Sequence, residues 1–148
     1  MRPPHGLAMY VKQSIEIGIV ETISSNEFEC LTVQLNPSQQ STTIIVVYKA
    51  PNCTLNNFKK HILSMAQFQT SEKLVIVGDF NYDLSRGQNE SFLHFIKSVF
   101  PTTQYLNTST TTRDFTKLDL CFTSFARASA RMITCVWSYH HTLVSSLS

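Results

Sequence analysis

The sequence predicts an α/β sandwich, and three observations predict it. Short runs rich in β-branched residues recur along the chain. Two stretches in its middle carry helical spacing. Strands and helices alternate there while β-rich stretches flank them, which argues against a bundle and against an all-β domain. At 148 residues the chain reads as one domain, 1–148, long enough for a real core. Its hydrophobic fraction of 43% is ordinary, whereas charged residues make up only 15% and Ser, Thr and Asn take their place. A net charge of +2 with a pI near 8.4 permits a nucleic-acid partner without the strong basic excess of a dedicated DNA binder.

Taken in order, Gly6 to Val11 and Ile15 to Val20 read as two short strands, and the alternation of Phe28 to Leu35 as another. Asn36 to Ser41 is a turn by composition. Thr43 to Tyr48 is a second apolar strand, so residues 28–48 read as a hairpin with a longish loop. Ala50, Pro51 and Asn52 break that strand. Thr54 can then cap a helix whose apolar positions Leu55, Phe58, Ile62, Met65 and Ala66 keep helical spacing.

The run Leu74 to Val77 suits a strand covered on both faces, ended by Gly78. Ser91 to Val99 reads as a helix with Phe92, Phe95, Ile96 and Val99 on one face, stopped by Pro101. Tyr105 and Leu106 suggest a short strand and Asn107 to Thr112 a polar loop. Leu118 to Thr123, Arg131 to Trp137 and Thr142 to Leu147 read as the closing strands.

Cys30, Cys53, Cys121 and Cys135 show neither C-x-x-C pairing nor zinc spacing. Three of them, Cys30, Cys121 and Cys135, sit inside apolar strand patterns, where free Cys is usually a small core residue. That implies a reducing compartment. The first residues lack the apolar core of a signal peptide, and no segment is apolar for long enough to span a membrane. The expectation is an intracellular location, with the nucleus one option, and no membrane partner.

The chemistry-bearing residues gather at strand ends. Asp79 and Asn81 follow the central strand at once, placing a carboxylate and an amide on a rigid support. They read either as a general base and a neutral donor or as caps of the loop. Asp119 lies within an apolar strand, where a bare carboxylate is costly unless it is paired or at a site mouth. His140 or the adjacent His141 could partner it. A carboxylate that accepts from one imidazole nitrogen fixes the tautomer and leaves the other nitrogen for a substrate. Tyr48 ends the strand before YKAPN and reads as a half-buried aromatic or as a hydroxyl at the same mouth.

The order GDFN, then TR with LD a few residues on, then S-x-H, resembles the endonuclease/exonuclease/phosphatase superfamily, the fold of deoxyribonuclease I and the apurinic endonucleases. The look is nearest to the endonuclease-like domains of retrotransposons and Helitron-type elements. The resemblance implies a four-layer α/β sandwich, two sheets face to face with flanking helices. It implies phosphodiester hydrolysis of DNA with Mg²⁺ or Mn²⁺, and a reverse transcriptase or helicase as neighbour. It gives Asp79, Asn81, Asp119 and His140 catalytic roles. Tyr48 and Asn52 would contact the phosphate, and Arg113 of the TR pair would order its loop or reach the DNA backbone. Lipid and inositol-phosphate phosphatases share these core motifs, so the motifs do not fix the substrate.

Two departures stand out. RPPHGLAMYVK resembles a segment well inside the family domain, so the strands carrying an early Asn and the metal-binding Glu would precede Met1. Glu16, Glu21, Glu27 and Glu29 do not lie in that Glu's context. The family's S-D-H reads Ser138, Tyr139, His140 here, and a phenol is a poor Mg²⁺ ligand near neutral pH. The sequence therefore leads to a domain incomplete at its N-terminus. Weak metal binding, impaired cleavage and poor solubility through exposed edges are expected of it. The alternative is a catalytically inactive remnant that binds nucleic acid or protein.

Overall fold

The hairpin at the centre of the sheet is written in its alternation. In a computed structural model that describes residues 6–38, 40–70, 73–85 and 90–148, Phe28–Leu35 and Thr42–Lys49 pair antiparallel from Phe28 opposite Lys49 to Leu35 opposite Thr42. These strands are here β2 and β3, and β1 is Ile17–Ser24, which pairs antiparallel with β2. Helix α1, Leu55–Ser64, follows, and Thr54 caps it by accepting the Asn57 N–H at 3.2 Å. A single 3-10 stretch, Ala66–Thr70, leads into β4, Lys73–Asp79. Helix α2, Glu90–Val99, precedes a short β5, Gln104–Tyr105, and β6, Asp119–Thr123.

These strands form one six-stranded sheet in the order β1-β2-β3-β4-β6-β5. Strands β3 and β4 are parallel because α1 carries the chain back across the sheet, while β4 and β6 are antiparallel. Strands β7, Ala128–Ile133, and β8, Thr142–Leu147, pair as a separate two-stranded sheet.

Alternation along β4 explains the layers. Leu74 and Ile76 point to one face and pack with Phe58, Ile62, Phe92 and Ile96 of the helices. Val75 and Val77 point to the other and pack with Cys121, Ala128, Ala130, Leu143 and Leu147, so the small sheet lies on that face. Five fully buried phenylalanines, Phe28, Phe58, Phe80, Phe92 and Phe100, fill the helix side. Helix layer, large sheet and small sheet are thus three layers of a two-sheet α/β sandwich. Among the described residues no helix covers the outside of the small sheet.

Two expected strands differ. Gly6 to Val11 is irregular, because a strand needs a partner ladder and β1 offers none to it among the described residues. The strand expected at Arg131 to Trp137 lies earlier, at Ala128–Ile133, where small inward residues let it sit on the large sheet. Cys135 consequently lies in a loop and is partly exposed, while Cys53, outside any strand, is buried. The described residues contain no helix long and apolar enough to cross a membrane.

Candidate active site

One end of the large sheet gathers the polar side chains. Register places Tyr48 opposite Asp79 and Asp79 opposite Asp119. Cross-strand partners share a face, so these three stand in one rank, on the side where the small sheet lies. The rank extends to Glu29, which is opposite Tyr48 and only 7% exposed. Family context gave Glu29 no role. The signal that could have found it is the hairpin register, which fixes its neighbour as Tyr48.

Gly78 lets the rank form. Its φ is 150°, and a Cβ there would lie 1.9 Å from the Val47 carbonyl oxygen, so only glycine lets β3 and β4 close together before Asp79. Asp79 then accepts the backbone N–H of Asn81 at 2.9 Å. Asn81 adopts φ 43°, a left-handed conformation that Asn tolerates, and its Nδ2 donates to the Lys49 carbonyl at 2.8 Å. The amide is thereby tied to β3, and its Oδ1 stays available as an acceptor.

His140 reaches this rank from the loop between β7 and β8. Its Nδ1 lies 2.7 Å from Asp119 Oδ2, a charge-assisted distance, and its Nε2 lies 3.8 Å from Asp79 Oδ2. The second distance is too long for a direct hydrogen bond and short enough for each charge to act on the other. His141 turns elsewhere, with Nδ1 3.5 Å from the Cys135 N–H. Burial, aided by the like charge of Asp119, holds the Asp79 carboxyl above its ordinary 3.8, while the Asn81 N–H, His140 and Lys49 pull it down.

A threonine buttress sets His140 against Asp119. Thr111 is fully buried, and its Oγ1 accepts the N–H groups of Leu118 and Asp119 at 2.9 and 3.1 Å. Its carbonyl accepts the His141 N–H at 2.8 Å, and Thr112 bridges to His140. The run 107–112 reads as a polar loop, which hides Thr111, while Thr112 stands out only as the T of the TR pair.

Arg113 donates its guanidinium to the carbonyls of Cys135 and Val136, which ties the loop that carries His140. Asn52 lies exposed in the turn after β3, and no contact brings it to the rank. The Tyr139 hydroxyl donates to Asp114 at 2.8 Å, and that bond holds the phenol proton on, above its usual 10.

Asp79, Asp119 and His140 each offer a ligand atom, and these atoms lie within 4.8 Å of one another. Two carboxylates suit Mg²⁺ or Mn²⁺, and a divalent cation between them would relieve their mutual repulsion. The residues therefore fit such an ion.

This architecture occurs in solved structures. Superposed on the endonuclease domain of TRAS1, a telomere-specific non-LTR retrotransposon, the chain gives a TM-score of 0.66 at 14% identity, covering 86% of itself and 67% of that domain. The chain has the endonuclease/exonuclease/phosphatase fold. An endonuclease/exonuclease/phosphatase family protein from Leptotrichia buccalis gives 0.68 at 15% identity, covering 90% of this chain and 61% of that one. The catalytic domain of human Nocturnin gives 0.62 at 16% identity, covering 94% and 62%. The chain thus spans under two thirds of the length of the latter two. No family model matches the sequence, and no curated protein matches it. At these identities the likeness lies in the fold.

Proposed function

We propose that the chain is a phosphodiester hydrolase of the endonuclease type that acts on DNA with the help of a divalent cation. The observation that carries this reading is the line Asp119–His140–Asp79, with contacts of 2.7 and 3.8 Å. Asp119 holds the proton on Nδ1 and turns Nε2 toward Asp79. In its cationic form His140 donates from Nε2 to a phosphate oxygen. Asp79 takes the proton of the attacking water, whose oxygen bonds to phosphorus as the ester bond to the leaving oxygen breaks. Asn81 Oδ1 orients that water, and the Tyr48 hydroxyl, next in the rank, contacts the phosphate. Were Mg²⁺ or Mn²⁺ bound, Asp79 and Asp119 would hold it, and the ion would polarise the phosphate and neutralise the charge that grows on the leaving oxygen.

The likeness to the TRAS1 domain supports a mobile-element origin, with a reverse transcriptase or helicase fused or neighbouring. A second reading, a catalytically silent DNA-binding remnant, is favoured by Tyr139. Its hydroxyl is turned onto Asp114 and adds no carboxylate to the site.

Nicking of supercoiled plasmid separates the two. With Mg²⁺ or Mn²⁺ the chain nicks, EDTA abolishes nicking, and Asp79→Ala and His140→Ala each lower the rate about a hundredfold or more. Folded protein that binds plasmid without nicking it would leave the remnant reading in place.

A further inference from the structure

The loops beside His140 present exposed aromatic and apolar side chains that neither the core nor the proposed chemistry uses. Trp137 is 93% exposed, Phe115 77%, Val136 68% and Tyr139 46%. Cross-loop hydrogen bonds bind these loops to each other. The Arg113 guanidinium donates to the carbonyls of Cys135 and Val136, the Arg113 N–H donates to the Tyr139 carbonyl at 3.1 Å, and the Tyr139 hydroxyl donates to Asp114 at 2.8 Å. Phe115 follows Asp114 and Trp137 follows Val136, so the two exposed aromatics stand on segments that these contacts join. Phe115 is also held at φ 61°, a left-handed conformation rare for a bulky side chain, while its ring is displayed to solvent.

We infer that the rim these segments form is a stacking platform for an unpaired nucleobase, adjoining the phosphate bound at His140. The inference rests on the phosphodiester reading of the site and names its substrate class as single-stranded or locally opened polynucleotide. Exposed aromatics beside a cation suit bases joined by phosphates, and Lys117, two residues after Phe115, supplies one, its ammonium also donating to the Asn107 side chain at 3.0 Å. The Tyr139 ring on the same segment as Trp137 meets the His140 ring edge to face at 5.4 Å between centroids, so a base placed there belongs to a nucleotide beside the bound phosphate. A base within a duplex has no free face to offer, whereas an unpaired base has.

Trp137 is the only tryptophan, which gives a direct readout. In EDTA, so that no cleavage occurs, the full chain is titrated with a short oligothymidylate and with an abasic strand of the same length. Thymidylate should quench the fluorescence and bind roughly tenfold more tightly than the abasic strand, which should not quench. Phe115→Ala should remove most of that difference and leave abasic binding unchanged. Equal affinity for the two strands with unchanged fluorescence would overturn the platform. So would fluorescence that shifts on dilution of the protein alone, since a second copy would then cover the rim. Plasmid nicking, run in parallel with metal, keeps the two readings apart. Nicking without thymine-dependent quenching sinks the platform alone, and such quenching by a protein that never nicks supports the platform while the hydrolase reading fails.

Discussion

Lys49 shows how one residue can serve the site through its backbone while its side chain strains the fold. Its carbonyl anchors Asn81, yet the residue is only 5% exposed and its ammonium reaches no more than the Ala50 carbonyl at 3.3 Å. Burial is the largest influence and lowers its pKa from 10.5, against smaller upward pulls from Cys53, Asp79 and Glu27. A lysine whose pKa is depressed in the folded state stabilises the fold above its unfolded value, and that contribution is lost as pH falls through the lowered folded value. At neutral pH the charge therefore costs stability. Lys49→Met, which keeps the stem and the carbonyl, should melt higher than wild type at neutral pH. The gap should narrow as pH climbs from the lowered value toward 10.5, where both states lose the proton. Thermal melts across that range check it, and a gap that does not change with pH would contradict it. At this same scale the meeting of Asp79, Asp119 and His140 could be anticipated from a carboxylate inside an apolar strand together with the family order of GDFN, LD and S-x-H. Thr111 could not, because a buried threonine that receives two backbone N–H groups looks, in sequence, like any residue of a polar loop.

Arg113 matters as part of a loop pair. Its side chain joins the segment before β6 to the segment after β7, and its backbone N–H continues that join at Tyr139. It is a positioning residue, since it acts on the phosphate through the placement of His140. Arg113→Met should cost about 1 kcal/mol of stability at most, because the lost bonds are exposed. It should lower the rate of hydrolysis about tenfold with little change in KM. Nitrogen NMR of His140 is the decisive readout. The variant should lose the signature of a single Nδ1–H tautomer, and an unaltered imidazole spectrum with a lowered rate would refute positioning. Elements whose signals are local were read correctly: β2 and β8 coincide with the stretches marked for them, and α1 starts where Thr54 caps it but stops at Ser64, short of Met65 and Ala66. Residues 6–11 and β7 were misplaced because a strand is fixed by its partner, and which partner is present is not written in the strand itself.

In the whole molecule, the two halves of the site stand on supports of different strength. Asp79 and Asp119 end strands covered on both faces, where Leu74, Ile76 and Leu120 on one side and Val75 and Cys121 on the other are at most 5% exposed. His140 belongs to the loop of a two-stranded sheet, and such a pair has little stability of its own. It is held to the large sheet by small contacts, Ala128, Ala130, Leu143 and Leu147. Local stability should follow this division. In hydrogen exchange the amides of β3, β4 and β6 should be the slowest in the chain. Those of β7, β8 and residues 134–141 should exchange sooner, by local opening that leaves the large sheet intact. If the site works as a unit, Mn²⁺ together with a non-hydrolysable oligonucleotide should slow exchange at 134–141 most, because ligands that span both supports tie the weaker to the stronger. EDTA should reverse that protection. Slowing confined to β4 and β6 would mean that the ligand engages the carboxylates alone, and His140 would then have no part in binding.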